Sequence, residues 1–171
     1  MRPGGGKAKG AQFEREMCVL LSKWLTSGDR EDIFWRSAMS GGRATVAYRS
    51  TGKKHAAQSG DISCVDPLGD RFIKAFNAEC KFYRDLDYTG LLTGKGKLID
   101  FWKQTKRDAR IHSKHPFLIA RQNRMPAVVG LDINARKELG LSYKDMILIS
   151  IPNNLHLLFA DEFFKRCKPY L

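Results

Sequence analysis

The stretch AECKF, residues 78–82, has the pattern of a β-strand, yet it places a glutamate and a lysine two positions apart. Because successive side chains in a strand point to opposite faces, Glu79 and Lys81 share one face while Cys80 points the other way. An acid and an amine side by side on a strand are either a solvated surface pair or part of a polar site. The neighbouring segments decide between these two interpretations.

The residues before this strand predict a β-hairpin that brings in another acid. Three consecutive segments are typical of a strand, a tight turn and a returning strand: DISCVD (61–66), PLGD (67–70) and RFIKAFNAECKF (71–82). If the two strands pair, Asp61 at the start of the first converges on the face that carries Glu79 and Lys81. The sequence therefore predicts two carboxylates and one ammonium group at one edge of a sheet.

The rest of the chain alternates helical and strand patterns. Apolar residues at steps of three and four predict helices over 11–26 and about 98–113, the second with a buried stripe. That stripe comprises Ile99, Trp102, Ala109 and Thr105. Further strands are predicted at 32–37, 116–121, 127–132 and 146–151, and a short terminal helix or tail at 161–171. This order predicts an α/β fold in which helices flank a mixed β-sheet.

Length and charge restrict the possible functions. A chain of 171 residues with 43% apolar content has enough material for one domain with a core. It carries 30 Lys and Arg against 18 Asp and Glu, a net charge of +12. This excess favours a polyanionic partner, with nucleic acid first, although a merely soluble basic surface has the same composition.

Two segments are predicted to lie outside the regular elements. Residues 1–10 are basic and Gly-rich and predict a flexible arm, which leaves 11–171 as a single domain. Within that domain, residues 38–60 combine Gly, Ser and several Lys and Arg with little periodicity. A loop of this length in a small domain is usually functional or disordered.

The cysteine pattern and the lack of a recognisable targeting signal predict a cytoplasmic protein, in the host cytoplasm if the chain is viral. The four cysteines lie far apart without metal-ligand spacing, which is typical of reduced core thiols. The basic N-terminus is followed by no apolar signal region, and no apolar run is long enough to span a membrane. No pattern indicates an organic cofactor.

The acids and the lysine together predict a metal-dependent nuclease centre. The carboxylates of Asp61 and Glu79 and the Cys80 carbonyl form an oxygen-rich set suited to Mg²⁺, for which Mn²⁺ is expected to substitute. Lys81 can hold a water and orient it towards a phosphorus atom. Glu14, in the first turn of the 11–26 helix, either is solvated near the helix end or reaches into this polar site.

These residues resemble the PD-(D/E)xK nuclease superfamily, whose pattern is a strand-initial Asp followed by (D/E)-x-K on a later strand. Here the pattern is GD at 60–61 and ECK at 79–81, with Gly60 in the position of the Pro. The resemblance implies a restriction-endonuclease-like mixed sheet flanked by helices in a single domain. It also implies catalysis by Asp61, Glu79 and Lys81.

Three further segments are similar to the Holliday-junction resolvases of the archaeal and phage kind: KGAQFERE (9–16), FWRSAMSGG (34–42) and residues 101–131. This resemblance implies that Glu14 joins the catalytic and metal-binding residues and that Ser40 lies beside the cleaved strand. It also implies functional positions for Gln104 on the helix after the catalytic strand and for Arg121 on the next strand.

A resolvase of this kind cuts two opposing strands of a four-way DNA junction, so the resemblance implies a homodimer with two centres. The residues expected to contact DNA are Arg36, Ser40, Arg43, Arg49, Lys53, Lys54, Lys103, Gln104 and Arg107. Six aromatic residues are assigned to the core or a dimer interface, with base stacking as the lesser alternative: Phe34, Trp35, Phe101, Trp102, Phe163 and Phe164.

Two other functions fit the same residues. One is a restriction-like, homing-type or repair endonuclease that cuts duplex or branched DNA. The other is a nucleic-acid-binding protein that keeps the fold without catalysis. Metal-dependent cleavage of matched junction, duplex, flap and single-stranded substrates separates the three.

Overall fold

Two β-sheets organise the computed structural model, which describes residues 5–37 and 60–171. The strands are β1 (Phe34–Arg36), β2 (Ile62–Cys64), β3 (Phe76–Tyr83), β4 (His115–Gln122), β5 (Val128–Leu131), β6 (Leu148–Ser150) and β7 (Leu155–Phe159). The α-helices are α1 (Gly5–Leu25), α2 (Asp70–Ala75), α3 (Gly90–Thr93), α4 (Lys97–Ile111), α5 (Ile133–Glu138) and α6 (Ala160–Arg166). Short 3₁₀ turns lie at Pro67–Gly69 and Tyr143–Asp145.

The larger sheet has the strand order β3-β4-β5-β7-β6, so β3 lies at one edge. β3 and β4 are parallel and are joined by the crossover through α3 and α4, whereas the other neighbours pair antiparallel. β1 and β2 form a separate antiparallel pair. The mixed sheet with flanking helices that the sequence predicts is confirmed, and it is consistent with a restriction-endonuclease-like fold.

Two apolar layers cover the faces of the larger sheet. On one face α1 contributes Phe13, Met17 and Leu21, which share a buried cluster with Ala78 and Cys80 of β3. On the other face α4 contributes Ile99 and Trp102 of its predicted stripe. The β4 partners of Glu79 and Lys81, which are Leu118 and Ala120, belong to the same second cluster. Glu79 and Lys81 therefore face α4, while Cys80 faces α1.

The predicted hairpin between residues 61–66 and 71–82 is wrong. β2 pairs with β1, and residues 67–75 form a 3₁₀ turn and the helix α2, so that β3 begins only at Phe76. The reason is local: the Asp66 side chain accepts a hydrogen bond from the Leu68 amide and Pro67 opens the turn, which is a helix-start signal. The buried Phe72 then anchors α2 to the core.

Four other elements differ from the sequence prediction, and the short helix α3 is one of them because it is not predicted. α1 begins at Gly5, so residues 5–10 continue the helix where a flexible arm is predicted. The strand β7 and the helix α5 are not predicted. α5 begins where the Asp132 side chain accepts a hydrogen bond from the Ala135 amide. Residues 1–4 and, apart from Gly60, the predicted loop 38–60 lie outside the described residues.

Candidate active site

Asp61 lies against the open edge of β3. Its amide donates to the Ala78 carbonyl at 2.8 Å, and its Oδ2 accepts from the Cys80 amide at 2.9 Å. The Ser37 amide, just after β1, donates to the Asp61 carbonyl at 2.8 Å. Two main-chain bonds and one side-chain bond thus hold this buried aspartate between the small sheet and β3. The predicted hairpin would place Asp61 at the same edge of β3.

Gly60 makes the approach of Asp61 to β3 possible. Its φ is +81°, and a Cβ at this position would lie 2.5 Å from the Ala78 carbonyl oxygen. Proline, whose ring holds φ near about −65°, does not fit this backbone. The departure from the Pro of the superfamily pattern is therefore a consequence of how tightly the chain crosses the β3 edge.

Substitution of Gly60 should destabilise the fold by more than its left-handed backbone angle alone would. We expect Gly60→Ala to lower the free energy of unfolding by about 3 kcal/mol, because the backbone strain and the clash with Ala78 both contribute. Gly28→Ala is the matched control, with φ +100° and no atom within 4 Å of its added Cβ. It should cost only about 1 kcal/mol. Equal losses in chemical denaturation would contradict this account of Gly60.

Glu79 and Lys81 meet Asp61 at this edge. The Lys81 Nζ lies 2.9 Å from the Glu79 Oε2 and 3.7 Å from the Asp61 Oδ2. The Lys81 side chain is only 18% exposed, and its ammonium lies 5.8 Å from the centre of the Phe101 ring on α4. The structure thus brings together the three residues that form the core of the sequence motif.

Burial and charge set the protonation of this group. Burial, together with the nearby Asp61 carboxylate, raises the pKa of Glu79 to about 7, although the Lys81 ammonium opposes the shift. Burial lowers the pKa of Lys81, but the Glu79 and Asp61 carboxylates outweigh it and the pKa ends above its ordinary value. Two buried carboxylates with one cation between them leave an excess of negative charge that a divalent cation would neutralise.

The Cys80 main chain supplies a further oxygen. Within a strand the N–H and C=O of one residue point to the same side. Since the Ala78 carbonyl and the Cys80 amide both bond to Asp61, the Cys80 carbonyl also points along this open edge. In the described residues no three His, Cys, Asp or Glu side chains are grouped to hold a metal. Two carboxylates and a carbonyl, completed by water and phosphate oxygens, nevertheless fit Mg²⁺.

Glu14 and Glu79 lie on opposite faces of the larger sheet. Glu14 belongs to α1, and its carboxylate forms an ion pair with Arg36 of β1. Burial raises its pKa, the Arg36 hydrogen bond lowers it, and the charge of Asp61 raises it further, so Glu14 is within electrostatic reach of Asp61. Its predicted role as a metal ligand stays a prediction.

The helix α4 adds one residue that the sequence interpretation missed. Asp108 is buried, and its charge contributes to the raised pKa of Glu79. The sequence does contain an indication of this acid. Asp108 lies next to the predicted buried stripe, between Thr105 and Ala109, where an acid exposed to solvent would not be expected. Gln104 is half-buried and lies one turn from both Phe101 and Asp108, hence on the side of α4 that faces the site.

The other predicted DNA-contacting residues fall into two groups. Lys103 and Arg107 are exposed on α4, and Arg107 lies 3.3 Å from the Asp108 carboxylate. Ser40, Arg43, Arg49, Lys53 and Lys54 lie outside the described residues. Arg121 is on the α1 face, where it pairs with Glu16 at 2.9 Å, so it does not belong to the carboxylate–lysine group.

The family match shows a nuclease of the PD-(D/E)xK superfamily, for which DNA is the implied substrate class. The chain belongs to the family described as "Phage putative PDDEXK endonuclease", whose model matches residues 5–156. Comparison with curated proteins and with solved structures gave no match. Among the described residues, no helix has the length and apolar content to cross a membrane.

Proposed function

We propose that this phage-family endonuclease is a Mg²⁺-dependent enzyme that resolves four-way DNA junctions by paired nicks and acts as a homodimer. The observation that carries the proposal is the convergence of Asp61, Glu79 and Lys81 at the open edge of β3. Buried acids that share one lysine cost stability, so their presence together at a sheet edge favours a catalytic role.

The residues of this centre have separate tasks. Asp61, Glu79 and the Cys80 carbonyl would hold the metal, and bound Mg²⁺ would supply Lewis-acid catalysis of phosphodiester hydrolysis. Lys81 carries a full positive charge and has three N–H donors. It can therefore orient the attacking water or donate to a phosphate oxygen on which charge develops. Gln104, on the facing side of α4, is suited to hydrogen-bond the same strand.

The surroundings of the centre favour a nucleic acid. Lys103 and Arg107 are exposed on α4 beside Gln104, and the whole chain has a net charge of +12. Contacts of this type neutralise phosphates and position a duplex without reading bases. They fit recognition of DNA shape, as junction cutting requires.

The junction as substrate rests on the resemblance of residues 9–16, 34–42 and 101–131 to resolvases. Resolution requires two nicks in opposing strands, and the described residues contain a single carboxylate–lysine group of this kind. A symmetric pair of chains supplies the second centre, which is why the proposal includes a homodimer.

Cleavage of a matched substrate set tests the proposal. Junction, duplex, flap and single-stranded DNA of shared sequence are incubated with Mg²⁺, Mn²⁺ or a chelator, and the cut positions are mapped. We expect symmetric paired nicks on the junction, dependent on the divalent ion, and a dimer in sedimentation analysis. Comparable cutting of plain duplex would instead indicate a restriction-like or repair endonuclease. No metal-dependent cutting of any substrate would indicate a non-catalytic DNA-binding protein.

A further inference from the structure

Trp35 differs from the other two tryptophans of the chain. Trp24 and Trp102 are buried, with 6% and 0% of their surface exposed, whereas Trp35 on β1 is 60% exposed. Its strand neighbours Phe34 and Arg36 point the other way, towards α1. An exposed indole is unremarkable alone, so its surroundings must show whether it has a function.

Trp35 lies at the rim of a cleft of about 420 Å³ that residues of α1 and β1 line. Two arginines line that cleft, Arg15 on α1 and Arg36 on β1, and Arg36 forms an ion pair with Glu14. The acids of the lining are matched by cations: Glu31 pairs with Lys23 at 2.7 Å, and Asp32 with Arg30 at 2.8 Å. With these pairs taken together, the lining has one excess positive charge, that of Arg15, in a cleft that Trp35 borders.

The strand that carries Trp35 leads directly to a contact with the proposed active site. Ser37, two residues after Trp35, donates its amide to the Asp61 carbonyl. At a rise of about 3.3 Å per residue, Trp35 lies roughly 7 Å along the strand from that contact. This is within the reach of a nucleotide adjacent to one held at the carboxylates.

We propose that Trp35 is a stacking platform for an unpaired base of the DNA strand next to the cut, with Arg15 contacting a neighbouring phosphate. The inference rests on the proposed function, namely that the Asp61 centre cuts DNA. Every base has a π face that an indole can cover, but only an unpaired base is free to leave its own stack. Trp35 would thus favour branched over continuous duplex DNA without reading sequence.

A second copy of this chain is a poorer occupant than a nucleotide. A symmetric contact through the cleft would bring the arginines of both copies together in a protein that is already strongly basic. Like charges at an interface oppose association, whereas the same arginines attract a phosphate.

Binding without cleavage tests this role. Labelled oligothymidylate, a four-way junction and a matched duplex are titrated in the presence of a chelator with wild type, Trp35→Ala, Trp35→Phe and Leu92→Ala. Leu92, which is 88% exposed on α3, controls for loss of an exposed apolar side chain. We expect Trp35→Ala to weaken oligothymidylate binding about ten-fold, while Trp35→Phe retains most of the affinity. Duplex affinity should change less than about two-fold in every variant.

Tryptophan fluorescence gives a second readout of the same contact. Oligothymidylate should quench the wild-type emission, and this quenching should vanish in Trp35→Phe because the remaining tryptophans are buried. Unchanged oligothymidylate affinity in Trp35→Ala would overturn the stacking role. A Trp35 emission that changes with protein concentration in the absence of DNA would also overturn it, because it would indicate self-association through Trp35.

This outcome is separable from that of the nuclease proposal. If the wild type cuts DNA and Trp35→Ala binds as the wild type does, the stacking role fails and the nuclease stands. If no substrate is cut but binding still depends on Trp35, the nuclease proposal fails and the stacking role stands as a DNA-binding contact.

Discussion

Glu79→Gln and Asp61→Asn should each lower the rate of metal-dependent DNA cleavage by roughly a thousand-fold, equivalent to about 4 kcal/mol of transition-state stabilisation. Each substitution replaces a candidate metal-binding carboxylate by an amide of the same shape, so the fold and the DNA surface are preserved. Junction binding in the presence of a chelator should stay equal or tighten, because a negative charge facing the phosphates is removed. Single-turnover cleavage and binding titrations measure the two effects separately.

The control for these variants is Asp161→Asn, the same chemical change at an exposed position on α6. It should cut at the wild-type rate. If Glu79→Gln or Asp61→Asn also cut at that rate, the carboxylate–lysine group would not be the catalytic centre. A parallel loss of binding and cleavage would mean instead that the substitutions disturb the DNA surface or the fold.

Glu79→Gln should also change how stability depends on pH when no divalent ion is present. The pKa of Glu79 is raised from 4.5 to about 7 in the folded protein. Between these values the folded state holds a proton that the unfolded chain releases. The wild type is therefore most stable below pH 4.5 with respect to this group, and loses that stability as pH rises to 7.

The size of this loss is on the order of 3 kcal/mol, since each pKa unit corresponds to about 1.4 kcal/mol. Glu79→Gln has no group that titrates here and should not show this loss. From pH 4.5 to 7.5, the unfolding free energy of the wild type should therefore fall by that amount relative to the unfolding free energy of the variant. Chemical denaturation in chelator measures it. Glu31→Gln, at an exposed glutamate, should keep the wild-type profile. Identical profiles for Glu79→Gln and the wild type would contradict a buried Glu79 with a raised pKa.

Strand periodicity was sufficient to predict the shared face of Glu79 and Lys81. The convergence of Asp61 on that face was also predicted, but for a wrong reason. Asp66 caps the 3₁₀ turn at residues 67–69, the helix α2 follows directly, and β2 pairs with β1 instead. Asp61 reaches β3 through main-chain bonds that depend on the left-handed Gly60, which no periodicity reveals.

Contacts distant in sequence could not be predicted in the same way. The pairing of Glu14 with Arg36 depends on how α1 packs against β1, and the influence of Asp108 on Glu79 depends on how α4 packs on the sheet. Both are products of tertiary packing. The exposure of Trp35 is another, because the same residue pattern is compatible with a buried or an open face.

We expect Asp61, Glu79 and the Cys80 carbonyl to bind one divalent ion beside Lys81. Anomalous scattering from a crystal grown or soaked with Mn²⁺ would locate that ion. We expect a peak within about 2.0 to 2.4 Å of oxygens from both carboxylates, and no peak there in Glu79→Gln. An active crystal form whose only Mn²⁺ peak lies away from these residues would contradict this expectation.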